Sequence, residues 1–343
     1  MPPMAQPQPT AALDDDPDLP HDHGARAWVD GALAILVGLL SVFQSRVNGA
    51  LAIRVGSGIE AAAVSFATGL VLITVIVAAT PAARSGVRLL AQALRRHIVP
   101  RWIILGGLGG ASFVAAQGLV VPTTGVALFT VAIVAGLTAN SLVADRLGVG
   151  PGGRRPVTWP RIIAAGMSVA GVFIAVSGSI GRGEFAAGLL ALAFVAGALV
   201  ALQQGVNGRV AVTAGSPLTA ALVNFIVGFS ALFILTTIFE LTDATALVMP
   251  PAIWSEPVLW LGGPIGVAFV VVASFAVRGL GVLLFSLLTI VGQLVGGVLV
   301  DVVAPIPGGT GVAAATVAAV AVSMAATVLA FLGSRRTTGT MPK

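Results

Sequence analysis

The chain has 343 residues, 57% hydrophobic and only 9% charged, with a mean hydropathy of +1.02 and a formal net charge of +5. A water-facing domain needs about 25% charged residues, so the composition excludes a soluble protein and indicates an integral membrane one. No cysteine is present, and His21, His23 and His97 all lie outside the apolar stretches, which excludes disulfide and thiolate chemistry and leaves no His set for a metal or haem.

The excess of base reads as membrane-flanking Arg rather than a nucleic-acid surface. One Lys against seventeen Arg, with abundant Ala and Gly, points to a GC-rich bacterial source and hence to the bacterial inner membrane.

Residues 1–29 read as a disordered cytoplasmic tail, because the run Asp14–Asp16, Asp18 and Asp22 is acidic where a signal peptide is basic. Ten apolar stretches follow, each long enough to span at about 20 residues. They cover residues 31–53, 60–80, 102–121, 125–145, 160–179, 186–209, 217–239, 258–277, 281–301 and 312–333. The third and fourth are split only by Pro122–Gly125, and the eighth and ninth only by Arg278-Gly279, which predicts two tight helical hairpins. Residues 335–343 form a second cytoplasmic tail. With both termini in the cytoplasm, 15 of the 18 Lys and Arg fall on the inner side, and only Arg46, Arg54 and Arg182 fall outside. The positive-inside bias therefore predicts N-in and C-in.

The chain also repeats itself. Gln44–Gly69 lies over Gln203–Gly228 at an offset of 159 without a gap, with 12 of 26 positions identical. Gly106–Asp145 lies over Gly262–Asp301 at an offset of 156. The rare residues match: Gln44 with Gln203, Asn48 with Asn207, Phe66 with Phe225, Phe113 with Phe269, Phe129 with Phe285 and Asp145 with Asp301. Residues 30–180 and 181–334 thus form two five-helix repeats. An odd number of spans per repeat inverts the second copy relative to the first. The fold class predicted is an all-α integral membrane protein of ten transmembrane helices in an inverted five-plus-five repeat, an arrangement that suits alternating access.

A polar side chain at membrane depth must face protein or water. Gln44 and Asn48 share one face of the first span, and Gln203 and Asn207 repeat it in the sixth. These four are the candidates for a substrate cavity, the alternative being interhelical hydrogen bonds. Arg46 has no counterpart, since Gly205 replaces it. It reads either as snorkelling to the outer interface or as a charge tuning the cavity mouth. Asp145 and Asp301, the matched carboxylates, end the fourth and ninth spans and suggest a structural or gating role, with Arg146 or Arg161 as partners for Asp145. Gln117, Asn140, Asn224 and Gln293, each taken alone, read as helix glue. Gly106/Gly110 and Gly262/Gly266 are repeat-matched GxxxG pairs suited to close helix packing.

No phosphate-binding GxxxxGK[ST] loop, no metal-binding spacing and no mid-span carboxylate occurs. No cofactor is therefore expected, and the expected partners are the lipid bilayer and a small-molecule substrate, without nucleic acid.

The repeated Gln-x-x-x-Asn-Gly pattern at Gln44–Gly49 and Gln203–Gly208, the Gly-Ser pairs Gly56-Ser57 and Gly215-Ser216, and the Ala-Ala-x-Val-x-Phe-x-x-Gly run resemble the drug/metabolite transporter superfamily, most of all its YdcZ-type branch. So do the Gly-Gly-x-x-Gly openings of the third and eighth spans, the Val291-Gly292-Gln293-Leu294 segment and the Asp ending the ninth span. The resemblance covers about residues 30–333 and implies two five-helix halves fused, with secondary transport of small molecules. Gln293 joins the cavity candidates, although Leu137 stands at its place in the first copy. The expectation is a non-enzymatic permease or exporter of a small polar or amphipathic metabolite. A non-transporting scaffold or partner subunit, or a lipid-modifying enzyme, is the alternative.

Overall fold

The computed structural model describes residues 23–154, 156–177, 184–243, 248–305 and 313–338. The acidic run of the tail, Arg155, Arg182 and Lys343 lie outside the described residues, as do the side chains of Arg26, Arg278, Arg335 and Arg336. Nine α-helices are described: α1 His23–Val55, α2 Gly58–Ala79, α3 Pro81–Arg95, α4 Gly107–Leu147, α5 Trp159–Ser177, α6 Glu184–Ala214, α7 Pro217–Asp243, α8 Gly262–Val303 and α9 Ala314–Thr338. No strand occurs among the described residues, and seven helical stretches there are long and apolar enough to cross a bilayer.

The matched Gly-Ser pairs have a local reason. Gly56 and Gly215 take left-handed backbone angles, φ +78° and +62°, which end α1 and α6 without a Cβ penalty. The serine that follows starts the next helix. Ser57 Oγ accepts from the Glu60 amide at 3.3 Å, and Ser216 Oγ accepts from the Thr219 amide at 3.4 Å, each satisfying a helix-initial donor.

Two helices are too long to be straight spans. The 41 residues of α4 would extend about 60 Å at 1.5 Å per residue, twice the hydrocarbon thickness. The helix breaks at Gly125, where φ is +81° and ψ is 171°, three residues after Pro122. The Phe113 and Phe129 ring centroids, on opposite sides of that break, lie 5.9 Å apart, so the arms 107–124 and 126–147 fold back on one another. In α8, of 42 residues, Gly262 at one end lies against Asn48, and the Ala304 carbonyl just past the other end accepts from Arg46 Nε at 3.2 Å. Both ends therefore lie beside the same stretch of α1, which a straight helix could not achieve. The tight hairpin expected at residues 122–125 is thus two helices meeting at Gly125, and α8 likewise doubles back between its ends, as the hairpin expected at residues 278–279 requires.

Helix α3 falls between the second and third apolar stretches, and it has a helical signature. Pro81 occupies its first position, Ala83, Gly86, Leu90 and Ala93 are buried along one face, and Arg84, Arg88 and Arg95 are exposed. The α1 helix begins at His23, inside the stretch assigned to the tail.

The halves grip each other reciprocally. α1 lies along both arms of α8 and α6 along both arms of α4, while α2 pairs with α7 and α5 with α9. The contacts repeat residue for residue. Phe66 lies over Gly228, and Phe225, its counterpart, lies over Gly69, the counterpart of Gly228. These two rings meet with centroids 5.2 Å apart. A Cβ on Gly107 would stand 2.5 Å from the Asn224 carbonyl oxygen, and one on Gly263 would stand 2.1 Å from the Ser65 carbonyl oxygen, the repeat-related contact. Backbone therefore lies on backbone wherever the hairpins cross the opposite half.

A methyl group at Gly263 has no room, since its Cβ would also stand 2.3 Å from the Gly69 nitrogen. We expect Gly263→Ala to lower the thermal midpoint of the detergent-purified protein, with a cost of about 1–3 kcal/mol for overpacking. Gly166→Ala, with nothing within 4 Å, should not. Equal midpoints for the two variants would contradict this packing.

Candidate functional site

Between the halves lies a cavity of about 770 Å³, within the usual range for a small-molecule site. Its walls come from α1, α2, α6, α7 and the facing arms of α4 and α8. Gln44, Gln203, Asn207 and Gln293 all line it, together with Asn224 and Gln204. Two pairs of matched phenylalanines, Phe66/Phe225 and Phe113/Phe269, supply its apolar surface.

The carboxamides are held by neighbouring helices, Gln44 across the halves and Gln203 and Asn207 within the second. Gln44 Nε2 donates to the Gly262 carbonyl at 2.9 Å. Gln203 Nε2 and Asn207 Nδ2 both donate to Asn224 Oδ1, at 2.8 and 3.2 Å. Asn224 is therefore the hub of the second half's polar face, a role that its isolated position in the seventh span concealed. A carboxamide has two donors and two acceptor lone pairs, so one bond apiece orients these groups and leaves capacity for a ligand. The paired glycines make this possible. Cβ atoms on Gly110 and Gly266 would stand 3.1 and 2.8 Å from the Gln203 and Gln44 amide nitrogens. The GxxxG pairs expected to serve helix packing thus also clear space for the cavity amides.

Asn48 and Arg46 do not line the cavity. Asn48 is fully buried and donates from Nδ2 to Gln117 Oε1 at 2.6 Å, and Gln117 Nε2 donates to Ser45 Oγ at 2.8 Å. This network ties α1 to the first arm of α4. Its counterpart in the second copy cannot form, because Ala273 stands where Gln117 would and Gln204 where Ser45 would, and both line the cavity instead. Asn48 and Asn207 align perfectly and still have different surroundings. Arg46 reaches the Ala304 carbonyl, at the closed end.

The cavity is one-sided. Val212, Gly215, Ser216 and Pro217, at the α6–α7 turn, belong to its lining. The repeat-related α1–α2 turn, 56–58, contributes nothing to it. At that far end Asp301 accepts from the amides of Val126 and Ala127 at 2.9 and 2.8 Å, capping the helix restart after Gly125, where a carboxylate is favoured by the exposed N–H groups and the helix dipole. Arg54 and Glu256 pair at 3.0 Å on the same side. Asp145, the counterpart of Asp301, is bound instead by Arg161. Among the described residues no group of three or more His, Cys, Asp or Glu could hold a metal ion.

Comparison with known proteins agrees with this two-part construction. The model of the family described as "Putative inner membrane exporter, YdcZ" matches residues 31–174 and again residues 188–334. No curated protein matches. A solved structure titled only "Crystal structure of protein" is 20% identical over 91% of this chain and 99% of its own, with a TM-score of 0.49.

Proposed function

With the chain belonging to the YdcZ branch of the drug/metabolite transporter superfamily, a multi-pass family of the inner membrane matched twice along its length, we propose that it is a secondary transporter that moves a small amphipathic metabolite through the central cavity by alternating access. The observation that carries this reading is the cavity itself, lined from both repeats by matched Gln and Phe side chains and reaching the α6–α7 turn but not the α1–α2 turn.

We read α4 and α8 as two crossings each, which gives ten spans and places both termini in the cytoplasm. The cavity mouth at the α6–α7 turn then faces the cytoplasm. α3 packs on that turn, with Thr219 Oγ1 donating to the Ala83 carbonyl at 3.1 Å, and presents Arg84, Arg88 and Arg95 to the same side. An inward-open cavity is suited to loading from the cytoplasm, in keeping with the family's description as exporters.

The seal at the outer end supports a gate built on the matched carboxylates. Asp301 holds the turn of the first hairpin shut. By the 156-residue offset, Asp145 would do the same for the amides of residues 282 and 283 once it leaves Arg161. Exchanging which carboxylate caps its hairpin interconverts inward-open and outward-open forms, because each half takes the conformation the other had.

Two measurements check this. Thermal-shift screening of the purified protein against a metabolite library supplies cargo for proteoliposome flux. Gln44→Leu combined with Gln203→Leu should then cut flux at least about tenfold, the equivalent of one lost hydrogen bond, while the protein stays folded; intact flux would sink the site. For the gate, hydrogen exchange in Asp301→Ala should rise at residues 126–127 and fall at residues 282–283 as the opposite seal closes. A rise at 126–127 with no change at 282–283 would reduce Asp301 to a helix cap.

A further inference from the structure

The described side chains that line the cavity include carboxamides, serine hydroxyls and phenylalanines, and none of them is ionisable. Among the described residues, the charged groups nearest its ends are bound elsewhere. Asp145 is held by Arg161. Arg209, on α6 just below Asn207, donates to the Gly148 and Gly150 carbonyls and lies over the Trp102 ring. Asp301 is held by two backbone amides, and Arg46 by the Ala304 carbonyl.

We infer that the cargo is an uncharged amphiphile, with a flat apolar body and a polar end that both donates and accepts hydrogen bonds. This inference rests on the cavity reading above and sharpens it. When the cavity closes over its cargo, the cargo loses bulk water. An ion then meets a large desolvation penalty, which only a countercharge or a dense set of charge-assisted hydrogen bonds offsets. The cavity has no countercharge among its described lining. Its carboxamides already bond to one another and to backbone: Gln203 and Asn207 to Asn224, and Gln44 to Gly262. A neutral amide-like or hydroxyl-bearing end meets no such penalty, because each carboxamide offers both a donor and an acceptor. The Phe66/Phe225 pair and the Phe113 and Phe269 rings give the body of the molecule an aromatic surface.

Matched probes separate charge from shape. 1-Naphthylacetamide, 1-naphthylacetate and 1-naphthylethylamine share one body and differ in the charge of the polar end at neutral pH. Their binding to the full-length protein in nanodiscs is measured by calorimetry. We expect the amide to bind at least about tenfold more tightly than either ion, a gap of about 1.4 kcal/mol. Asn224→Asp, which keeps the shape of the hub and can still accept from Gln203 and Asn207, should shift the preference toward the amine. Binding of either ion as tight as that of the amide, or no binding of the amide, overturns the inference. If ion binding is lost in Gln44→Leu/Gln203→Leu, the cavity reading survives and only the charge inference fails. If amide binding persists unchanged in that variant, the cavity reading fails and takes this inference with it.

Discussion

Everything in this molecule depends on two hairpins being crossed, backbone against backbone, by a helix of the other half. The glycines at those crossings leave no space for a side chain: a Cβ on Gly38 would stand 2.3 Å from the Thr289 carbonyl oxygen, and one on Gly197 would stand 2.1 Å from the repeat-related Ile133 carbonyl oxygen. Inside a bilayer there is little hydrophobic gain from bringing helices together, so close packing and interhelical hydrogen bonds do that work. Because each half supplies a hairpin to the other, neither half has a complete set of neighbours alone. The cavity is a consequence: it occupies the junction, and its polar groups come from both copies.

The same construction gives the structure its asymmetry. Two halves of related sequence do not close equally at both ends. At one end the Asn48–Gln117–Ser45 network and the Asp301 cap join α1, α4 and α8. At the other, Ala273 and Gln204 replace the network and the cavity reaches the α6–α7 turn. In the proposed inverted arrangement these ends face opposite sides of the membrane, so the difference between the copies becomes a difference between inside and outside.

Much of this was legible in the residues, and the reasons for the rest are physical. The apolar runs and the matched Gln, Asn, Phe and Gly positions located the helices and pointed to Gln44, Gln203 and Asn207, because a rare polar residue retained in two copies at membrane depth needs a partner. Periodicity could not tell that Asn48 and Asn207 differ, since their surroundings are set by residues 69 positions away in one case and 17 in the other. Asn224 looked like isolated glue because its counterpart is Ser65, whose shorter side chain hides the match. Helix α3 is absent from the ten apolar stretches because its Arg content makes it too polar to span, although Ala83, Gly86, Leu90 and Ala93 follow a helical spacing. Arg46 was open between two readings, and its bond to the Ala304 carbonyl puts it at the closed end.

In the proposed transport cycle one cavity is reached from both sides of the membrane in turn. The chain contains no cysteine, and Ala273 lines the cavity, is half-buried and has no side-chain hydrogen bond to lose, so Ala273→Cys introduces one thiol at little structural cost. A membrane-impermeant maleimide is applied to inside-out and to right-side-out vesicles carrying this variant. Alternating access requires labelling from both faces, faster from the cytoplasmic face and slowed on both by transported cargo. Labelling from one face alone, with or without cargo, would contradict it.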